Sequence, residues 1–213
     1  MDKKYLWLSV AGITFIVPVI VILCLFAFAP KEEAVLEPVR VLNGGTIVPA
    51  DQYAAKEVMQ ADGTTKGDAL YNYTSSYGYS LQYNSKYKTD LTGSRGDFYI
   101  CNDDETVSVL IQCVGKSEEL FKIETKEEWD DVMKNTGLGV GKCTAFNKTT
   151  INGLDVVVAN YALVDDAGNL KGDMLMAMFN GEEYTYSYMY SALHGTSETE
   201  QQQIGALLYT IKE

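Results

Sequence analysis

One histidine, His194, and two arginines, Arg40 and Arg95, stand among 213 residues. The common catalytic zinc sites take two or three histidines, so a histidine-built metal centre is excluded by count. Basic side chains number 17 against 29 acidic ones, a formal net charge of −12. A surface of that sign repels phosphate backbones, which excludes nucleic acid as a partner, and it is ill suited to lying flat on an anionic leaflet. A phosphate-binding glycine loop is missing as well. Gly137-Leu138-Gly139-Val140-Gly141 has the glycines without the strand-then-helix setting that such a loop needs. No pair of residues reads as a general acid and base, and no cofactor is implied. With 46% hydrophobic and 22% charged residues, the chain lacks the composition of a disordered protein.

Charge is absent altogether from Tyr5 to Ala29, a run of 25 residues. Roughly 20 apolar residues cross a hydrocarbon core, so residues 1–30 read as one transmembrane helix. Lys3 and Lys4 precede the run and Glu32 and Glu33 follow it. The positive-inside rule therefore puts the N-terminus in the cytoplasm and the bulk of the chain outside. Cleavage after Ala27-Phe28-Ala29 is the rival reading, but the run exceeds a signal h-region and Pro30 would follow the cut. A lipid anchor on Cys24 fits poorly, because bulky Leu23 precedes it and four more apolar residues follow.

Residues 31–70 mix charge with Pro38, Gly44-Gly45, Pro49 and a polar run from Asp62, which reads as a linker with a short helix between Asp51 and Gln60. From residue 71 the pattern changes. Tyr77, Tyr79, Leu81 and Tyr83 alternate at strand period. Arg95-Gly96-Asp97, in the loop that follows, is either an integrin-type tripeptide or plain turn chemistry. Asp97–Cys101 and Thr106–Val114 read as strands around the acidic turn at residues 102–105. Thr125 with Glu128 forms a capping box ahead of Trp129, Val132 and Met133, and Gly137 ends that helix. A four-stranded meander then runs through 141–150, 154–164, 170–179 and the strand after Asn180-Gly181. Its first turn is Asn152-Gly153, and the loop at Asp165 reads as a turn lacking the ligands of a calcium site. Ser197 with Glu200 caps a last helix whose apolar stripe is Ile204, Leu207, Leu208 and Ile211. The fold class expected is α+β: an antiparallel sheet of about seven strands, packed with two amphipathic helices and preceded by the transmembrane helix.

Tyr184, Tyr186, Tyr188 and Tyr190 alternate along the last strand, so their rings share one face. A strict two-residue Asn180-Gly181 turn sets Ala177 against Tyr184 and Leu175 against Tyr186; one bulge residue sets Met178 and Met176 there. The ladder is either core beneath the last helix or a lined groove that binds a ligand.

Residues 77–87, Y-G-Y-S-L-Q-Y-N-S-K-Y, resemble the opening strand of the PsbP-like fold, with Asn84 and Tyr87 where that pattern has proline and tryptophan. The capped helix, meander and C-terminal helix are similar too, and the resemblance covers residues 71–213. It implies an α+β domain used for binding or assembly more than catalysis. That fold has no common active site, so it assigns no residue here.

The expected function is thus non-enzymatic: a membrane-anchored extracytoplasmic domain binding a partner protein or a cell-envelope component. The alternatives are an envelope enzyme using a cysteine or carboxylate, and a glycan-binding surface protein. A cysteine enzyme would pair His194 with Cys101, Cys113 or Cys143, yet sortases place histidine before cysteine, and all three cysteines precede His194. All three also fall in expected strands, away from the helix N-termini that activate thiols. Pairing Cys101 with Thr106 across their hairpin would leave Cys113 about 23 Å away on the opposite face, which excludes a Cys101–Cys113 disulfide within that hairpin and leaves the pairing of Cys143 with either one open.

Overall fold

The computed structural model describes residues 37–50, 69–134, 143–165 and 167–213. The transmembrane helix expected over 1–30, the short helix expected within 51–60 and the Gly137 helix stop lie outside the described residues. Among the described residues, no helix is long and apolar enough to cross a membrane.

Two antiparallel sheets carry the fold. The larger has seven strands in the order β5-β6-β7-β11-β10-β9-β8. These are β5 (Lys88–Asp90), β6 (Phe98–Cys101), β7 (Val107–Cys113), β8 (Cys143–Ile151), β9 (Leu154–Val164), β10 (Leu170–Asn180) and β11 (Thr185–Leu193). Strands β8 to β11 are the expected meander. Asn152 and Gly153, at φ 50° and 86°, make the tight turn between β8 and β9.

The smaller sheet has the order β1-β2-β3-β4 and was not legible as such. It comprises β1 (Val39–Arg40), β2 (Thr46–Pro49), β3 (Leu70–Thr74) and β4 (Ser80–Asn84). Residues 37–50, read from sequence as part of the linker, are therefore integral to the fold. Ile47 pairs with Tyr73, and both it and Val41 are buried. Tyr77 falls outside β4, because Gly78 at φ 104° closes a turn in which Ser75 N–H donates to the Tyr79 carbonyl at 2.8 Å.

Each face of the large sheet has its own cover. On one face, Met174, Met176 and Met178 of β10 join Val157, Tyr161 and Trp129 beneath helix α1 (Lys126–Lys134). The capping box forms as expected: Glu128 N–H donates to Thr125 Oγ1 at 3.2 Å, and Thr125 N–H donates to the Glu128 carboxylate at 3.3 Å. The Trp129 indole donates to the Tyr161 hydroxyl, so its one polar atom is satisfied inside the core. On the other face, Ala177, Phe179, Tyr186 and Tyr188 meet the small sheet and the C-terminal apolar residues.

Those residues do not form one helix. Helix α2 (Glu198–Gly205) carries Ile204, a 3-10 turn (Ala206–Thr210) carries Leu207 and Leu208, and Ile211 follows in extended conformation. The expected Ser197 capping box is not made. The Ser197 side chain caps nothing, and the Glu200 carboxylate instead accepts a hydrogen bond from Asn102 Nδ2 at 3.2 Å.

The Asn180-Gly181 turn differs from both registers expected for it. Asn180 pairs with Thr185, and Gly181 N–H donates to the Tyr184 carbonyl at 3.0 Å, so the turn centres on Glu182 and Glu183. Phe179 faces Tyr186, Ala177 faces Tyr188 and Leu175 faces Tyr190. Close approach explains the glycine here, since a Cβ at residue 181 would lie 2.6 Å from the Tyr186 ring and collide with the Glu213 carboxylate.

Candidate binding site

The tyrosine ladder is divided between core and rim. Tyr186 and Tyr188 are 0% and 1% exposed, whereas Tyr184 and Tyr190 are half-buried. The Tyr186 hydroxyl lies 2.6 Å from Glu213 Oε1 and 2.9 Å from the Tyr77 carbonyl, two acceptors for one proton. Burial, reinforced by the Glu213 carboxylate, raises its pKa. The Tyr188 hydroxyl donates to the Gly205 carbonyl at 3.2 Å, tying β11 to the end of α2. Tyr184 packs edge-on against Tyr77 with centroids 5.4 Å apart. The two rings that reach the surface stand six residues apart on the strand, about 20 Å, so the four tyrosines do not make one continuous surface.

The residues weighed for chemistry are dispersed. Cys101 pairs with Ser108, which leads across the sheet through Ser191, Met174 and Tyr161 to Cys143. Five strand spacings separate those two cysteines, about 24 Å. Cys113 lies five residues beyond Ser108, the partner of Cys101, about 17 Å along β7 and on the opposite face. All three are free thiols. Burial raises the pKa of Cys101 and of Cys143, which keeps both protonated at neutral pH and weakly nucleophilic. His194 is exposed in the turn after β11, where its backbone N–H donates to the Lys171 carbonyl at 2.7 Å. Among the described residues, no group of three histidine, cysteine, aspartate or glutamate side chains is arranged to hold a metal ion.

Arg95-Gly96-Asp97 is committed to the fold. Asp97 accepts the Cys113 N–H at 2.7 Å, and Arg95 lies over the Tyr99 ring and 3.5 Å from Glu105. The acidic turns are likewise built for the backbone. Asn102 Oδ1 accepts from Thr106 and Val107 N–H groups, and Asp165 Oδ1 accepts from Ala167 and Asn169.

The feature with the geometry of a binding site was not singled out from the sequence. An open groove of about 790 Å³ runs between the outer face of the small sheet and the C-terminal segment. Asn72 and Gln82, paired across β3 and β4, line it together with Asn152 and Tyr209. Gln82 Nε2 donates to Asn72 Oδ1 at 3.2 Å. That leaves the Asn72 side-chain amide donor and the Gln82 side-chain carbonyl oxygen with no protein partner among the described residues. Tyr209 is 68% exposed and also walls two neighbouring hollows, of about 710 Å³ and 400 Å³. Its backbone is pinned: Asn152 Nδ2 donates to the carbonyls of Tyr209 and Ile211 at 2.9 and 2.7 Å. Thr210 Oγ1 accepts the Gln82 N–H at 3.2 Å. The signal available in the sequence was a tyrosine standing off the apolar stripe of the last helix.

No protein-family model matches this chain, and no curated protein sequence matches it. Among solved structures it is similar to the solution structure of cyanobacterial PsbP (CyanoP) from Synechocystis sp. PCC 6803. The identity is 13% and the TM-score 0.51, over 67% of this chain and 91% of that one. A crystal structure from Bacteroides thetaiotaomicron VPI-5482 aligns at 14% identity with a TM-score of 0.41, over 63% of this chain and 44% of that one. At such identities the likeness to CyanoP speaks for the fold alone. The expected resemblance to the PsbP-like fold is thereby met.

Proposed function

We propose that this chain is a single-pass membrane protein whose C-terminal domain stands outside the cytoplasm and binds a cell-envelope component or a partner protein without catalysing a reaction. The uncharged run from Tyr5 to Ala29, with lysines before it and glutamates after it, supports the anchor and its direction. The binding role is carried by one observation: an exposed Tyr209 on a pinned turn, walling a groove in which the paired Asn72 and Gln82 side chains keep one donor and one acceptor without a protein partner among the described residues. An envelope enzyme working through a cysteine needs an accessible, ionisable thiol, and burial acts against that at Cys101 and Cys143.

The test is protease treatment of intact cells producing the full chain. The reading expects the chain in the membrane fraction and its C-terminal domain removed by protease added outside. A domain digested only after lysis contradicts it. Replacing Cys101, Cys143 and His194 with alanine should leave function intact; loss of function with folding retained would establish the enzyme instead.

A further inference from the structure

We infer that the groove between the small sheet and Tyr209 is a binding site for a neutral glycan strand. The inference rests on the non-catalytic binding role proposed above and names its ligand class.

Charge selects that class first. The chain carries a net charge of −12, yet this groove is lined by amides and hydroxyls: Asn72, Thr74, Ser80, Gln82, Asn152 and Thr210. Lys212 and Glu213 are the charged side chains at its end. Glu213 is already engaged, accepting from Glu182 N–H at 2.8 Å and lying 2.6 Å from the Tyr186 hydroxyl. An anionic polymer would therefore meet a single cation on an acidic protein. A neutral sugar instead meets a donor on Asn72 and an acceptor on Gln82, two residues paired across β3 and β4, and its hydroxyl groups can both accept and donate.

Tyr209 supplies the second requirement. Single exposed aromatic residues are ordinary on protein surfaces. The backbone that carries this one is held, Asn152 Nδ2 donating to the Tyr209 and Ile211 carbonyls, and its side chain walls three hollows at once. An exposed ring on a backbone already ordered presents an apolar face to the C–H face of a sugar without the cost of ordering the segment that carries it. The hollows continue from the small sheet past Tyr209 to Asn147 and Asn160 on β8 and β9, so the ligand is a strand of several sugars.

A peptide adding as a β-strand is disfavoured here because the edge of β4 is already occupied. Ser80 and Lys212 exchange backbone hydrogen bonds at 2.7 and 3.0 Å, and Gln82 N–H is taken by Thr210.

The experiment is titration calorimetry of the full chain, in a detergent without a sugar headgroup. The probes are a β-linked hexamer of N-acetylglucosamine, a β-linked glucose hexamer and anionic polygalacturonate. Saturable binding of at least one neutral hexamer, without binding of polygalacturonate, is expected. Tyr209→Ala should weaken it at least about tenfold and Gln82→Ala severalfold, while Tyr184→Ala, outside the groove, leaves it near wild type. Tyr209 is exposed, so its variants keep the fold, and thermal melts check this. Binding of polygalacturonate alone, no saturable binding of either neutral hexamer, or binding unaffected by Tyr209→Ala overturns the inference. If the domain is still digested from intact cells, only the glycan assignment falls; if it is protected, the reading beneath it falls too.

Discussion

Tyr79 of the small-sheet hairpin and Tyr186 of β11 stand with ring centroids 4.9 Å apart, inclined at 58°, and both are fully buried. This contact joins the two sheets. It continues through Tyr73 to Phe98 and on to Tyr83, so a chain of aromatic rings forms the seam between them. Their hydroxyls differ. That of Tyr186 is hydrogen-bonded, whereas those of Tyr79 and Tyr83 are buried without a hydrogen-bond partner.

Removing each hydroxyl therefore has opposite consequences. Tyr186→Phe should cost about 1–2 kcal/mol, because it leaves the Glu213 carboxylate and the Tyr77 carbonyl without their donor. Tyr83→Phe should be neutral or stabilising, since it deletes a buried hydroxyl that has no hydrogen-bond partner. Urea midpoints of the two variants check this; equal losses would contradict it.

The helix caps make a second pair. Thr125→Ala breaks a formed capping box and should cost about 1 kcal/mol. Ser197→Ala removes a side chain that caps nothing and should change stability by less than about 0.5 kcal/mol. Both motifs read alike in sequence. At the second, Asn102 on the facing β6–β7 turn takes the Glu200 carboxylate, a competition visible only in three dimensions.

That contrast shows what the sequence made legible. Strands β9 and β10 and the Trp129 helix follow from local periodicity and turn residues, which act over a few positions. The small sheet does not. β1 is two residues long, Gly44-Gly45 and Pro49 read as loop signals, and the partner of β2 lies beyond residues 51–68. Its stability comes from tertiary pairing that local propensity does not encode. Tyr209 was hidden for the same reason, because its neighbours Asn152 and Gln82 are remote in the chain.

Gly181→Ala should destabilise the protein by about 1–3 kcal/mol, because the added methyl meets the Tyr186 ring and the Glu213 carboxylate. The strain is one of space and not of backbone angle. Pairing the change with Glu213→Ala should recover part of the loss in thermal denaturation.

Alkaline pH should unfold the domain progressively. Burial pushes Tyr73 and Tyr161 up to about 12. In the unfolded chain a tyrosine releases its proton near pH 10. Between about pH 10 and 12 the unfolded state is thus deprotonated while the folded state is not, so stability falls as pH rises. Denaturant midpoints should hold steady to about pH 9 and then decline, with tyrosinate absorbance from the buried rings appearing only on unfolding. Full tyrosinate absorbance near pH 10 in a folded protein would contradict this.

The most direct test of the binding account is hydrogen–deuterium exchange on the full chain, with and without the neutral hexasaccharide found to bind. Slowed exchange confined to β3, β4, the Asn147–Asn152 stretch, Asn160 on β9 and the Tyr209–Lys212 segment, with the residues around Cys101 and Cys143 unchanged, is the result the groove predicts. Protection centred on those cysteines and His194, or nowhere in the domain, would contradict it.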